Sequence, residues 1–151
     1  MTTRARTDLA ALPADELVAR LHPYDERTGE HTAAAAAQIA ELVRYLNVAT
    51  LDDPAAAVPG PNTAASVLGA LHTACQRLPQ LLDQLGSRMQ TLAADPNLAT
   101  GSSTDTAQIL AERTVTFLDA AGPALDQLTA AVGKAWQAAD RLYLDVDDED
   151  L

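Results

Sequence analysis

Residues 104–143 read TDTAQILAERTVTFLDAAGPALDQLTAAVGKAWQAADRLY, and this stretch decides the fold. Ala111, Thr114, Leu118, Ala121, Leu125, Leu128, Val132, Ala135, Ala139 and Leu142 recur in alternating steps of three and four. That is the spacing of one helix face packed in a bundle. The obstacle is Gly122-Pro123, near the middle. A proline inside a helix deletes a backbone hydrogen bond and crowds the carbonyl four residues earlier, here that of Asp119, at a cost of about 3 kcal/mol.

Working outward, residues 63–95 repeat the design. Val67, Leu71, Ala74 and Leu78 form a stripe, continued by Leu81 or Leu82, Leu85, Met89 and Leu92, and Leu78-Pro79 interrupts it. Here the carbonyl of Cys75 loses its partner. Asp95-Pro96-Asn97 and Thr100-Gly101-Ser102-Ser103 mark a turn between the two stretches, with Ser103 or Thr104 as the next cap. Helices joined by a short turn fold back antiparallel. Measured from that turn, Pro79 lies about 25 Å and Pro123 about 27 Å along the helices, so the two prolines share a height. Cys75, Pro79, Asp119 and Pro123 are therefore the candidate kink or pocket residues. Either freed carbonyls and small side chains leave room there for a small molecule, or the joint only fits bent helices around shorter neighbours.

Residues 1–12 read as a flexible N-terminus. Pro13-Ala14-Asp15-Glu16 starts a short helix, with proline in the first turn and acids against the positive helix end. His22-Pro23 ends it. A second helix is predicted over about 25–49 on the stripe Ala35, Ile39, Leu42, Leu46 and Ala49. Residues 51–61, with three prolines and Gly60, read as an extended connection, and Asn62 as the N-cap of the third helix. The expected fold is all-α: a four-helix, mainly up-down bundle over 13–144, with a short first helix, two long proline-kinked helices, and an acidic tail at 145–151.

Composition narrows the function. A net charge of -11 opposes nucleic acid and anionic membrane surfaces, since both are bound by clustered lysine and arginine. Lys134 is the only lysine, and Cys75 the only cysteine, which excludes an intramolecular disulfide. No apolar run in residues 1–12 reads as a signal peptide, and none is long enough to span a bilayer. The expectation is a cytoplasmic protein, unless a leaderless export route applies.

No catalytic or metal-binding set emerges. His72 and Cys75 share a helix face, but two ligands are not a zinc site, and no third group orients them as a base and nucleophile. The tail Asp145-Val146-Asp147-Asp148-Glu149-Asp150 lacks the glycine and terminal glutamate of a calcium loop. Gly69 stands alone rather than in a phosphate loop, and reads as a site of close helix contact. No cofactor is expected. The interface candidates are Val132, Trp136 and Tyr143, beyond the reach of the second helix, and Asp147 and Asp148 for a basic partner.

Arg44-Tyr45-Leu46-Asn47, Val67-Leu68-Gly69-Ala70-Leu71 and Arg77-Leu78-Pro79-Gln80-Leu81-Leu82 together resemble small alanine-rich helical proteins of actinobacteria without an assigned activity. The resemblance covers the central half of the chain and implies an accessory role. Tyr143-Leu144-Asp145-Val146-Asp147 resembles the Tyr-x-x-x-Asp/Glu export signal of type VII secretion substrates, whose Trp-x-Gly turn is replaced here by Trp136-Gln137-Ala138 within a helix. The expected function is a non-catalytic module acting through protein contacts, with itself as a homodimer or within a larger complex. The alternatives are a small-molecule-binding bundle and a secreted type VII-like protein.

Overall fold

The computed structural model describes residues 12–25 and 27–143. They form five helices: α1 (Ala14–Leu21), α2 (Gly29–Asp52), α3 (Pro54–Ala57), α4 (Pro61–Ala93) and α5 (Ala107–Ala139). Among the described residues there is no strand, and no helix is long and apolar enough to cross a membrane. The acidic tail at 145–151 lies outside them. The chain divides into two compact units, Met1–Ala57 and Val58–Leu151.

In the first unit, Pro13 precedes α1 and Asp15 and Glu16 occupy its first turn, as charge on the helix dipole dictates. Arg20 pairs with Glu16 at 2.7 Å, one turn apart. The chain turns, and His22 Nε2 lies 2.8 Å from Gln38 Oε1, tying the end of α1 to α2. Thr28 caps α2 by accepting a hydrogen bond from the amide of His31 at 3.2 Å. The predicted extended connection is largely helical instead: α2 runs on to Asp52, and Asp53 accepts from the amide of Ala56 at 3.0 Å to start the single turn of α3. Proline permits this because Pro54 sits at the first helical position, where an amide hydrogen has no intrahelical partner. No residue of α2 is buried.

The second unit is a hairpin of α4 and α5, each 33 residues long. Gly60, not Asn62, caps α4, with Pro61 at the first helical position. In the turn, Asp95 accepts from the amide of Asn97 at 2.9 Å, and Ser102 Oγ accepts from those of Thr104 and Asp105 at 3.2 and 3.1 Å. The cap of α5 is Thr106, accepting from the amide of Ile109 at 3.3 Å. Both helices continue through their prolines, so Pro79 and Pro123 lie inside unbroken helix rather than between segments.

Helix register follows from three close approaches. Gly69 faces the Trp136 ring, Gly133 faces the His72 ring, and Gly86 faces Leu118. Moving three residues forward on α4 moves three back on α5, as antiparallel helices require. Extrapolated along this register, Pro79 stands opposite residue 126. The two prolines are thus three residues, about 4.5 Å, apart in height.

The residues that pack α4 on α5 are only in part the apolar stripe read from the sequence. On α4 the seam runs through Ala65, Leu68, His72, Cys75, Pro79, Leu82, Gly86, Met89 and Ala93, with Val67, Gly69, Leu78 and Leu92 half-buried at its edges. On α5 it runs through Ala111, Val115, Leu118, Gly122, Leu125, Thr129, Val132, Trp136 and Ala139, with Ala107 and Gly133 buried and Leu110 and Ala121 half-buried beside it. Half of the predicted α5 seam is therefore in place; four further positions move one residue on, to Val115, Gly122, Thr129 and Trp136, and Leu142 lies exposed beyond the helix. On α4 nearly the whole seam moves one residue. Packing decided this rather than apolarity. Glycine, alanine and cysteine let the backbones approach, and only such small residues are buried: Ala65, Cys75, Gly86, Ala107, Ala111 and Gly133.

Candidate functional site

The open end of the hairpin is a reciprocal notch. A methyl group built on Gly69 would lie 3.1 Å from Trp136 Nε1, and one built on Gly133 would lie 2.9 Å from His72 Nε2. Each ring therefore fills the space that the opposite glycine leaves. The two rings also meet each other, with centroids 5.6 Å apart and planes tilted by 32°, a spacing within the range of favourable ring pairs. Beside Trp136 runs an open groove of about 380 Å³ lined by Asn62, Ala65, Ser66, Gly69 and Asp140. A smaller groove of about 170 Å³ lies at the turn end, against Met89, Leu98, Ala107 and Thr114. Neither is lined by Cys75, Pro79, Asp119 or Pro123.

The kink residues divide between the two surfaces of the hairpin. Cys75 is buried in the seam and Pro79 is half-buried there, while Asp119 and Pro123 are exposed on α5. Of the interface candidates, Val132 and Trp136 belong to the seam, and Trp136 is half-buried against α4. Tyr143 is 78% exposed. Asp147 and Asp148 lie outside the described residues. His72 and Cys75 both serve packing, and no group of three His, Cys, Asp or Glu among the described residues is placed to hold a metal ion.

The largest chemical asymmetry lies beside the seam. One residue before each seam position is a point about 100° round the helix. Because α4 and α5 are antiparallel, these preceding positions turn to the same side of the pair on both helices. On α4 they are Val67, Leu71, Ala74, Leu78, Leu81, Leu85, Arg88 and Leu92. On α5 they are Leu110, Thr114, Phe117, Ala121, Ala124, Leu128, Ala131, Ala135 and Ala138. The opposite side carries Thr73, Gln76, Gln80, Asp83, Ser87 and Gln90 from α4, and Glu112, Thr116, Asp119, Asp126, Gln137 and Asp140 from α5.

One side of the hairpin is thus apolar and the other polar and acidic. The apolar side is open: Leu71, Leu81, Leu85, Phe117 and Leu128 are all exposed, Phe117 to 67%. These five are every exposed large hydrophobic residue that α4 and α5 carry, except Ile109. A single exposed leucine needs no explanation, but a contiguous face of them does. This face was in view at the sequence level: its α4 rows are the stripe assigned there to the core. Missing were the small and polar seam positions beside it, such as His72, Cys75, Gly86 and Gly122, which carry little hydrophobic signal.

Comparison with known proteins finds no matching family model, no similar curated protein and no matching solved structure.

Proposed function

We propose that this protein is a non-catalytic helical module that works by binding protein, through the apolar side of the α4–α5 hairpin. The observation that carries this reading is the apolar face on which Leu71, Leu81, Leu85, Phe117 and Leu128 are exposed and Leu78 and Leu92 half-buried, while the fully buried positions are all small residues. In this hairpin only small residues are fully buried, and the larger seam residues such as Leu68, Leu82, Leu118 and Leu125 are half-buried; helices in proteins owe most of their stability to packing of an apolar face. The face needs a further layer of helix. The four-helix bundle expected from the sequence was to be closed by this chain's own first two helices; in this reading the further layer comes from a partner. Helix α2 adds to the case, since Ile39, Leu42, Tyr45 and Leu51 are exposed on it as well. The reading places the protein in the cytoplasm, as an accessory subunit or a self-associating one.

The test is the native size of the protein in an extract of its own cells, set against a variant carrying Leu81→Glu and Leu85→Glu. Elution well above the 15.8 kDa of one chain, lost in the variant, supports the reading. A single-chain size in the extract and after purification would overturn it.

A further inference from the structure

We infer that the layer covering the apolar side of the hairpin is the same side of a second copy of this chain, so that two hairpins close a four-helix bundle. The inference rests on the protein-binding reading and names its partner. Area is the first argument. Helices of 33 residues are about 50 Å long, and a pair at the usual spacing is about 18–20 Å across, so the face measures about 900–1,000 Å². Helices α1 and α2, with 8 and 24 residues, supply about 48 Å of helix in total, about 10 Å wide. They match about half of that area. A second hairpin matches it in length and width, and would bury about 1,800–2,000 Å² over both partners, as stable dimers do.

Charge is the second argument. Two copies of an acidic chain repel each other unless their carboxylates are kept away from the contact. Along the apolar side the only charged residue is Arg88, and no carboxylate occurs there. Glu112, Asp119, Asp126, Asp140 and Asp83 all lie on the opposite side. A face for a basic partner would carry acids; this one has been cleared of them. A self-complementary patch on one chain also gives a closed two-fold dimer rather than an open chain of subunits.

The experiment is analytical ultracentrifugation of the purified full-length chain over about 1–100 µM, compared with Leu85→Glu/Phe117→Glu and with Gln80→Glu/Thr116→Glu on the polar side. The expected result is a species of about 32 kDa, twice the 15.8 kDa chain. The apolar-side pair should weaken its association at least about 100-fold, because charges would be buried unpaired, and the polar-side pair should change it less than about threefold. Cysteine cross-linking covers the case in which the glutamate variant unfolds. Ala74→Cys and Ala124→Cys, on the apolar side, should link two chains under mild oxidation, whereas Thr73→Cys and Thr116→Cys, on the polar side, should not. A purified monomer throughout the range overturns the inference, and a dimer that links from Thr73→Cys overturns the assigned face. The protein-binding reading fails only if the chain is also monomeric in the native extract.

Discussion

Replacing Gly133 by alanine tests the notch directly, and the expected sign runs against ordinary helix rules. In a helix interior, glycine to alanine gains about 1 kcal/mol from backbone entropy alone. Gly86 meets that expectation: a methyl group there would lie 3.9 Å from Leu118 Cδ1, in ordinary contact, and would add a little buried apolar surface. Gly86→Ala should therefore stabilise by about 1–2 kcal/mol. At Gly133 the same methyl would lie 2.9 Å from His72 Nε2 and 3.2 Å from Cδ2, closer than real methyl contacts allow. The His72 ring has Trp136 on another side, 5.6 Å away between centroids, so it cannot swing freely. Overpacking of this kind costs about 1–3 kcal/mol. Gly133→Ala should come out between neutral and about 2 kcal/mol destabilising, about 1–4 kcal/mol below Gly86→Ala. Urea unfolding followed by helical circular dichroism, at one fixed protein concentration, measures both. The decisive arm is His72→Ala: in that background Gly133→Ala should turn stabilising by about 1 kcal/mol. If Gly133→Ala stabilises as much as Gly86→Ala, or if His72→Ala leaves its effect unchanged, the reciprocal packing described here is wrong.

Two further predictions follow from the helix interiors and ends. Pro123 is exposed on the polar side of α5, so Pro123→Ala loses no packing and should stabilise by about 2–3 kcal/mol, by restoring a hydrogen bond to the carbonyl of Asp119; Pro79 is half-buried in the seam, and Pro79→Ala should gain less, which thermal unfolding of the two variants would resolve. Thr106→Ala and Thr28→Ala remove the side-chain acceptors of α5 and α2, and each should cost about 1 kcal/mol in urea unfolding; a change below about 0.3 kcal/mol at Thr106 would mean that its 3.3 Å contact contributes nothing.

Much of the architecture was legible from residue types. The helical hairpin, its turn at residues 95–105 and the near-level prolines all follow from periodicity and from turn-forming residues. The prolines were overread as interruptions. One lost hydrogen bond in a 33-residue helix leaves the ladder on both sides intact, and the helices continue. The connection at residues 51–61 was misread for a related reason: proline opposes helix in the interior but favours it at the first turn, as Pro54 and Pro61 show.

The seam shows where sequence reading stops. Apolarity alone pointed to Leu71, Leu78 and Leu85 as the core, because a periodic leucine row is the strongest signal a helix carries. By itself the sequence determined that α4 and α5 are helices, that they fold back on each other, and that each has one hydrophobic side. The tertiary structure decided which side meets the other helix. Backbone approach favours the small residues Ala65, Cys75, Gly86 and Gly133, with His72 and Trp136 filling the hollows that Gly133 and Gly69 leave. That choice turns the leucine row about 100° away from the seam and leaves Leu71 and Leu85 exposed. No pattern along one chain encodes the choice, because it depends on how closely two backbones can approach.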